Sequence, residues 1–199
     1  STAASDAAAA AMAANSDWPC IQHKQPVLTA AQMWDGPEIA SEGANSEDES
    51  IRKLVPIIVS RRLSVDDVEK DIKAFADALP AGTRDAKLAE LFSAVLAEIN
   101  VTRSSAVNGI EKFQRRQVLR SKKLEADGIK LAELITASDA NLKDQVAAQN
   151  AQEAQSRYDL DARVFQERQQ NIPIACEIPV LIEQRAFAIA QSIRNLMDK

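Results

Sequence analysis

The sequence predicts an all-α protein, an elongated antiparallel helical bundle or hairpin with long helices and an irregular Trp/Pro-rich N-terminal arm. Three observations predict it. Thr83–Gln170 contains no proline and only two glycines, Gly109 and Gly128, in a stretch dominated by Ala, Glu, Gln, Leu, Lys and Arg, the strong helix formers. Apolar residues recur there in steps of three and four, the period of one helix face. No Val/Ile/Thr-rich alternation marks a strand.

Residues 1–16 form a low-complexity Ala/Ser tract, read as a disordered tail. Residues 17–49 form the arm and an acidic linker, and 50–199 a single α-helical domain. The arm holds both tryptophans, Trp18 and Trp34, three prolines, Cys20 and the only histidine, His23. Proline opposes helix, and Asp35-Gly-Pro37 signals a turn. The two tryptophans are read as anchors over a body poor in large side chains. Thr29 is placed to cap a short helical turn reaching Trp34.

Ile51, Leu54, Val55 and Ile58 share a helical stripe interrupted by Pro56, which predicts a short helix starting or kinking there and ending by Arg62. Ser64 with Asp67 opens an amphipathic helix through Val65, Val68, Ile72, Phe75 and Leu79, stopped at Pro80-Ala-Gly82. Thr83 is the expected cap of the next helix, with Asp85 in its first turn. Its seam runs through Leu88, Phe92, Val95, Ile99, Thr102 and Ala106. It continues through Ile110, Phe113, Gln117, Leu124 and Leu131, interrupted by Arg120 and Asp127. The chain is expected to reverse at Asp127-Gly128 or, as the alternative, at Ser138-Asp139. A later seam, Ala147, Ala151, Ala154, Tyr158, Ala162 and Phe165, is built mostly of small residues. Asn171-Ile-Pro173 is read as its end, residues 174–178 as a connector, and Pro179 as the start of a last helix striped by Ile182, Ala186, Ile189, Ile193 and Leu196.

The two cysteines, Cys20 and Cys176, sit near opposite ends, both in Pro-flanked segments read as non-helical. The expected reading is a disulfide formed in an oxidising compartment. The first residues, Ser-Thr-Ala-Ala-Ser-Asp, are read as a mature N-terminus left after removal of an export signal. No apolar run approaches the ~18 residues that span a bilayer, so no transmembrane segment is expected.

Catalytic chemistry finds little support. One histidine in a loop leaves no Ser-His-Asp or Cys-His arrangement beyond His23, and no Gly-rich phosphate loop is present. Cys20-x-x-His23 does not close a metal site. No catalytic residue, metal site or cofactor is expected, and the chain is read as not an enzyme.

Charge is uneven: residues 1–50 carry eight acids and one lysine, while 103–123 carry seven basic residues and one acid. Lys112, Arg115, Arg116, Arg120, Lys122 and Lys123 cover much of a helix circumference, with Phe113 as the one interleaved aromatic. Nucleic-acid readers pair such charge with stacking aromatics, so no nucleic-acid partner is expected. The stretch is read as an interaction surface, or as a contact for acids of the arm, with peripheral membrane contact possible.

Leu28-Thr-Ala-Ala-Gln32 resembles, over those five residues, the Leu-Thr-x-x-Gln signature of small periplasmic helical stress chaperones, and no functional residue is carried over from it. Taken together, the sequence implies a non-catalytic, exported (periplasmic) interaction, scaffold or accessory protein that meets a protein partner of the cell envelope through its long helices. Two alternatives are a cytosolic amphipathic protein coating a lipid or granule surface, and a small-ligand or metal-binding bundle with Trp18 and Trp34 as a lid.

Overall fold

The computed structural model describes residues 17–39 and 43–198, so the tail expected over 1–16 lies outside the described residues. The fold is an all-α helical bundle. A 3-10 turn at Ala30–Gln32 precedes α1 (Glu49–Val59), α2 (Val65–Asp77), α3 (Arg84–Ala140), α4 (Gln145–Gln170) and α5 (Ile172–Asn195). No strand occurs among the described residues. The chain divides into two compact units. A core unit comprises His23–Asn108 and Glu177–Lys199, and a hairpin unit comprises Ser1–Gln22 and Gly109–Cys176.

The core unit owes its order to the stripes read above. Leu88, Phe92, Val95 and Ile99 of α3, Ile51, Val55 and Ile58 of α1, Val68 and Ile72 of α2, and Ile182, Ala186, Ile189 and Ile193 of α5 are all buried in one cluster. Each of these side chains larger than alanine contributes about 1.5–3 kcal/mol when taken out of water. Helix starts are fixed by side-chain oxygens. Ser50 and Ile51 donate their amides to Asp48, and Asp67 donates to Ser64. Thr83 departs from expectation: its hydroxyl donates to the Pro80 carbonyl at 2.8 Å, while Lys87 N–H donates to the Thr83 carbonyl. Val65, at the first position of α2, is exposed.

Both prolines expected to interrupt or start helices lie inside them. Pro56 falls within α1 and Pro179 within α5, so α5 begins at Ile172 and the expected connector over 174–178 is helical. Proline inside a helix costs about 3 kcal/mol, and burial of the flanking apolar side chains outweighs that here. Arg185 adds support at the end of α1. Its guanidinium donates through Nε and one terminal nitrogen to the Ile58 carbonyl, and through the other to the Leu63 carbonyl. Burial lowers its pKa, and the three hydrogen bonds satisfy the dehydrated cation.

In the hairpin unit α3 and α4 run antiparallel. Gln117 meets Phe165 and Gln169, Lys123 meets Asp161, and Gly128 lies against Tyr158. Positions that rise along α3 therefore fall along α4. The reversal occurs at Asn141–Asp144, not at Asp127-Gly128 or Ser138-Asp139. Lys143 N–H donates to Asn141 Oδ1, and Asp144 Oδ1 accepts the Ala147 amide to cap α4. Gly128 is an interior residue of α3, and a Cβ there would meet the Tyr158 ring at 3.4 Å, an ordinary contact.

Candidate functional site

The arm is tied down by chemistry local to each unit. In the hairpin unit, Cys20 and Cys176 form a disulfide. Beside it, Gln22 donates its side-chain amide to the Cys176 carbonyl at 2.6 Å, and Trp18 donates its indole N–H to the Gln22 carbonyl at 2.8 Å. The expected pairing is present, but Cys176 lies on α5 and not in an irregular connector. In the core unit, Trp34 stacks on Phe92 with ring centroids 4.4 Å apart and donates its indole N–H to the Pro37 carbonyl. Asn100 holds Leu28 at both its backbone groups, and Arg103 donates to the Gln25 carbonyl. These bonds account for the five-residue stretch at Leu28. Leu28 is a core residue, and Gln32 accepts the Thr29 amide at 2.7 Å to close the turn.

Trp34 also lines an open groove in the core unit with Asp35, Phe187, Ala188, Gln191 and Arg194. Arg194 pairs with Asp35 at 3.3 Å across it. His23 is exposed. Among the described residues no group of three His, Cys, Asp or Glu side chains could hold a metal ion. No helix there is long and apolar enough to cross a membrane.

The six residues of the basic stretch differ in their surroundings. Arg115 pairs with Asp17 of the arm at 3.3 Å, the contact with arm acids that the charge distribution suggests. Lys123 is taken up by Asp127 on its own helix and by Asp161 across the hairpin, and these contacts, the Asp127 hydrogen bond first, raise its pKa. Lys112, Arg116 and Lys122 are exposed. Arg120 is half-buried and donates to Gln117 Oε1 at 3.1 Å. Burial lowers its pKa first, and the neighbouring Arg168 and Arg116 cations lower it further.

Gln117 is the pivot of this region. It is only 2% exposed, and its amide donates to the Phe165 carbonyl at 3.2 Å and to Gln169 Oε1 at 3.1 Å. What the sequence offers as a polar interruption is thus a satisfied polar layer inside the seam, which fixes the register of α3 on α4 as a buried amide does in a coiled coil.

Beyond that layer the hairpin thins. None of residues 132–150 is buried. Leu142 is 87% exposed, and Val146 near the start of α4 and Ile135 near the end of α3 are exposed too. The helical periodicity predicts the hairpin but not this apolar tip, because Asp127-Gly128 is the stronger local turn signal and lies well before the actual reversal. The signal that finds it is Asn141-Leu-Lys-Asp144, a turn-and-cap pattern enclosing a leucine. No protein-family model, curated protein or solved structure matches the chain.

Proposed function

We propose that this chain is a non-catalytic, exported scaffold or accessory protein that docks an α-helical protein partner of the cell envelope on the tip of its α3–α4 hairpin. The observation that carries the reading is the tip itself. A stretch that buries no side chain nevertheless presents Ile135, Leu142 and Val146. A hairpin that served only itself would place polar residues there. Apolar anchors spaced along helix ends are what an amphipathic helix packs against. The Cys20–Cys176 bond supports export, because structural disulfides persist in oxidising compartments.

The test is site-specific photo-crosslinking in the producing cell, with the probe residue at Leu142, at Val146 and, as a control, at Lys70 on the exposed side of α2. A discrete adduct to one protein is expected from both tip positions, absent from Lys70 and lost in Ile135→Asp. No adduct at the tip, or the same adducts from Lys70, contradicts the reading. Alkylation without reductant followed by peptide mass spectrometry tests the compartment in the same preparation. A linked Cys20–Cys176 peptide is expected, and two alkylated cysteines would remove the argument for export.

A further inference from the structure

We propose that the outward face of α3 in the hairpin unit pairs antiparallel with the same face of a second copy of this chain. Arg115, Leu119, Lys122, Ala126, Ile129 and Glu133 follow one another in steps of four and three, so they form one stripe along the helix. All six are exposed, and the two large apolar members, Leu119 and Ile129, are 65% and 61% exposed. The opposite side of α3 carries the buried Gln117 and Leu131, and Gln117 bonds to α4 there. The stripe is therefore turned away from the hairpin's own partner helix. It is also separate from the tip, since neither Leu142 nor Val146 lies on α3.

Charge and spacing together specify the occupant. Every exposed charged residue from 112 to 123 is basic, whereas those from 125 to 139 are Glu125, Glu133 and Asp139 against Lys130 alone. An antiparallel copy lays its acidic half on the basic half of the first; a parallel copy would set like charge on like. The stripe is also symmetric about the level of Leu124. Leu119 and Ile129 lie five residues on either side of it, and Arg115 and Glu133 nine. A two-fold axis at that level sets Leu119 against Ile129 and Arg115 against Glu133, each contact made twice, as an isologous interface requires. Lys122 then falls opposite Ala126 and beside Glu125 of the other copy. Among the described residues Lys122, Glu125 and Glu133 make no ion pair within the chain. Arg115 uses one terminal nitrogen on Asp17, and its guanidinium carries further donors. A lysine within such a seam weakens the pairing but fixes its register.

The experiment follows the full disulfide-bonded chain by sedimentation equilibrium over a range of concentrations. A monomer–dimer equilibrium is expected. Leu119→Asp and Ile129→Asp should each weaken it about tenfold or more. Leu160→Asp makes the same change at an exposed leucine of α4 and should alter it less than about twofold. Circular dichroism checks that each of these variants folds. Charge reversal then tests the register. Lys122→Glu and Glu125→Lys each place like charges together across the two-fold axis, so each variant alone should associate more weakly than the wild type. An equimolar mixture of the two makes both contacts opposite in sign again, and should give a dimer at least as tight as the wild type's. Restoration by mixing also shows that neither variant lost association by unfolding. A chain that stays monomeric up to about 1 mM, equal weakening by Leu160→Asp, or a mixture that associates no better than either variant alone overturns the proposal.

Discussion

The two halves of α3 sit in different units and are stabilised differently. In the core unit, Leu88, Leu91, Phe92, Leu96 and Ile99 are each at most 1% exposed. In the hairpin unit the most buried large side chain among the described residues is Gln117, at 2%. A single 57-residue helix thus serves first as a wall of a hydrophobic core and then as one arm of a two-helix hairpin. The difference teaches that helix continuity says little about where stability resides. Two facing helices bury less than four packed helices, so the hairpin unit leans on a disulfide, a polar layer and the cross-helix ion pair Lys123–Asp161.

Perturbations that break this contrast rank by how much each half depends on packing. Phe92→Ala removes a fully buried ring and its stacking on Trp34, and should cost about 3–5 kcal/mol by denaturant unfolding. Replacing Cys20 and Cys176 together by serine should cost about 2–4 kcal/mol, and proteolysis should then cut the chain near residues 17–22 before any site in α1 or α2. Gln117→Ala leaves the Phe165 carbonyl and Arg120 without their partner, and about 1–2 kcal/mol is expected, concentrated in the hairpin. Gly128→Ala should act in the opposite direction. The added methyl makes an ordinary contact with Tyr158 while helix propensity improves, so thermal denaturation should show a gain of up to about 1 kcal/mol.

The smallest effect concerns pH and belongs to the core unit. Asp48 is held below the usual carboxylate range by its hydrogen bond from Lys87 and then by that from Ser50. A carboxyl whose folded pKa is depressed stabilises the fold above its unfolded value, near 3.9, and that contribution is lost as pH falls toward the folded value. Acid titration of the wild type and Asp48→Asn should therefore converge below about pH 4, with the wild type the more stable at neutral pH. Divergence that grows toward low pH would contradict the assigned sign.

Much of the core unit was legible in the sequence because its cues are local and repeated. The stripes of α2, α3 and α5 and the Ser64 cap each depend on residues within a turn or two, and packing agrees with them. Pro179 does not start the last helix, because proline's local cost is visible in sequence, whereas the burial that outweighs it comes from other helices. The Cys20–Cys176 pairing follows from there being two cysteines near opposite ends of the chain, although only Cys20 sits in an irregular segment. In the hairpin unit the sequence cues compete. Asp127-Gly128 looks like a turn, yet the glycine accommodates Tyr158 within a helix. Gln117 and Arg120 look like breaks in a seam, yet across from Gln169 they are its polar layer. Which of the six basic residues are paired was hidden in the sequence, because only the folded chain brings Asp161 to Lys123 and Asp17 to Arg115.

Native-state hydrogen exchange resolved by residue tests the central contrast most directly. Amides of 132–150 are expected to exchange through local opening at a small fraction of the global unfolding free energy, while those of Leu88–Ile99 exchange only with global unfolding. Protection at the tip equal to that of Leu88–Ile99 would mean that the tip is as stable as the core, and would contradict the contrast between the two units on which the proposed docking surface rests.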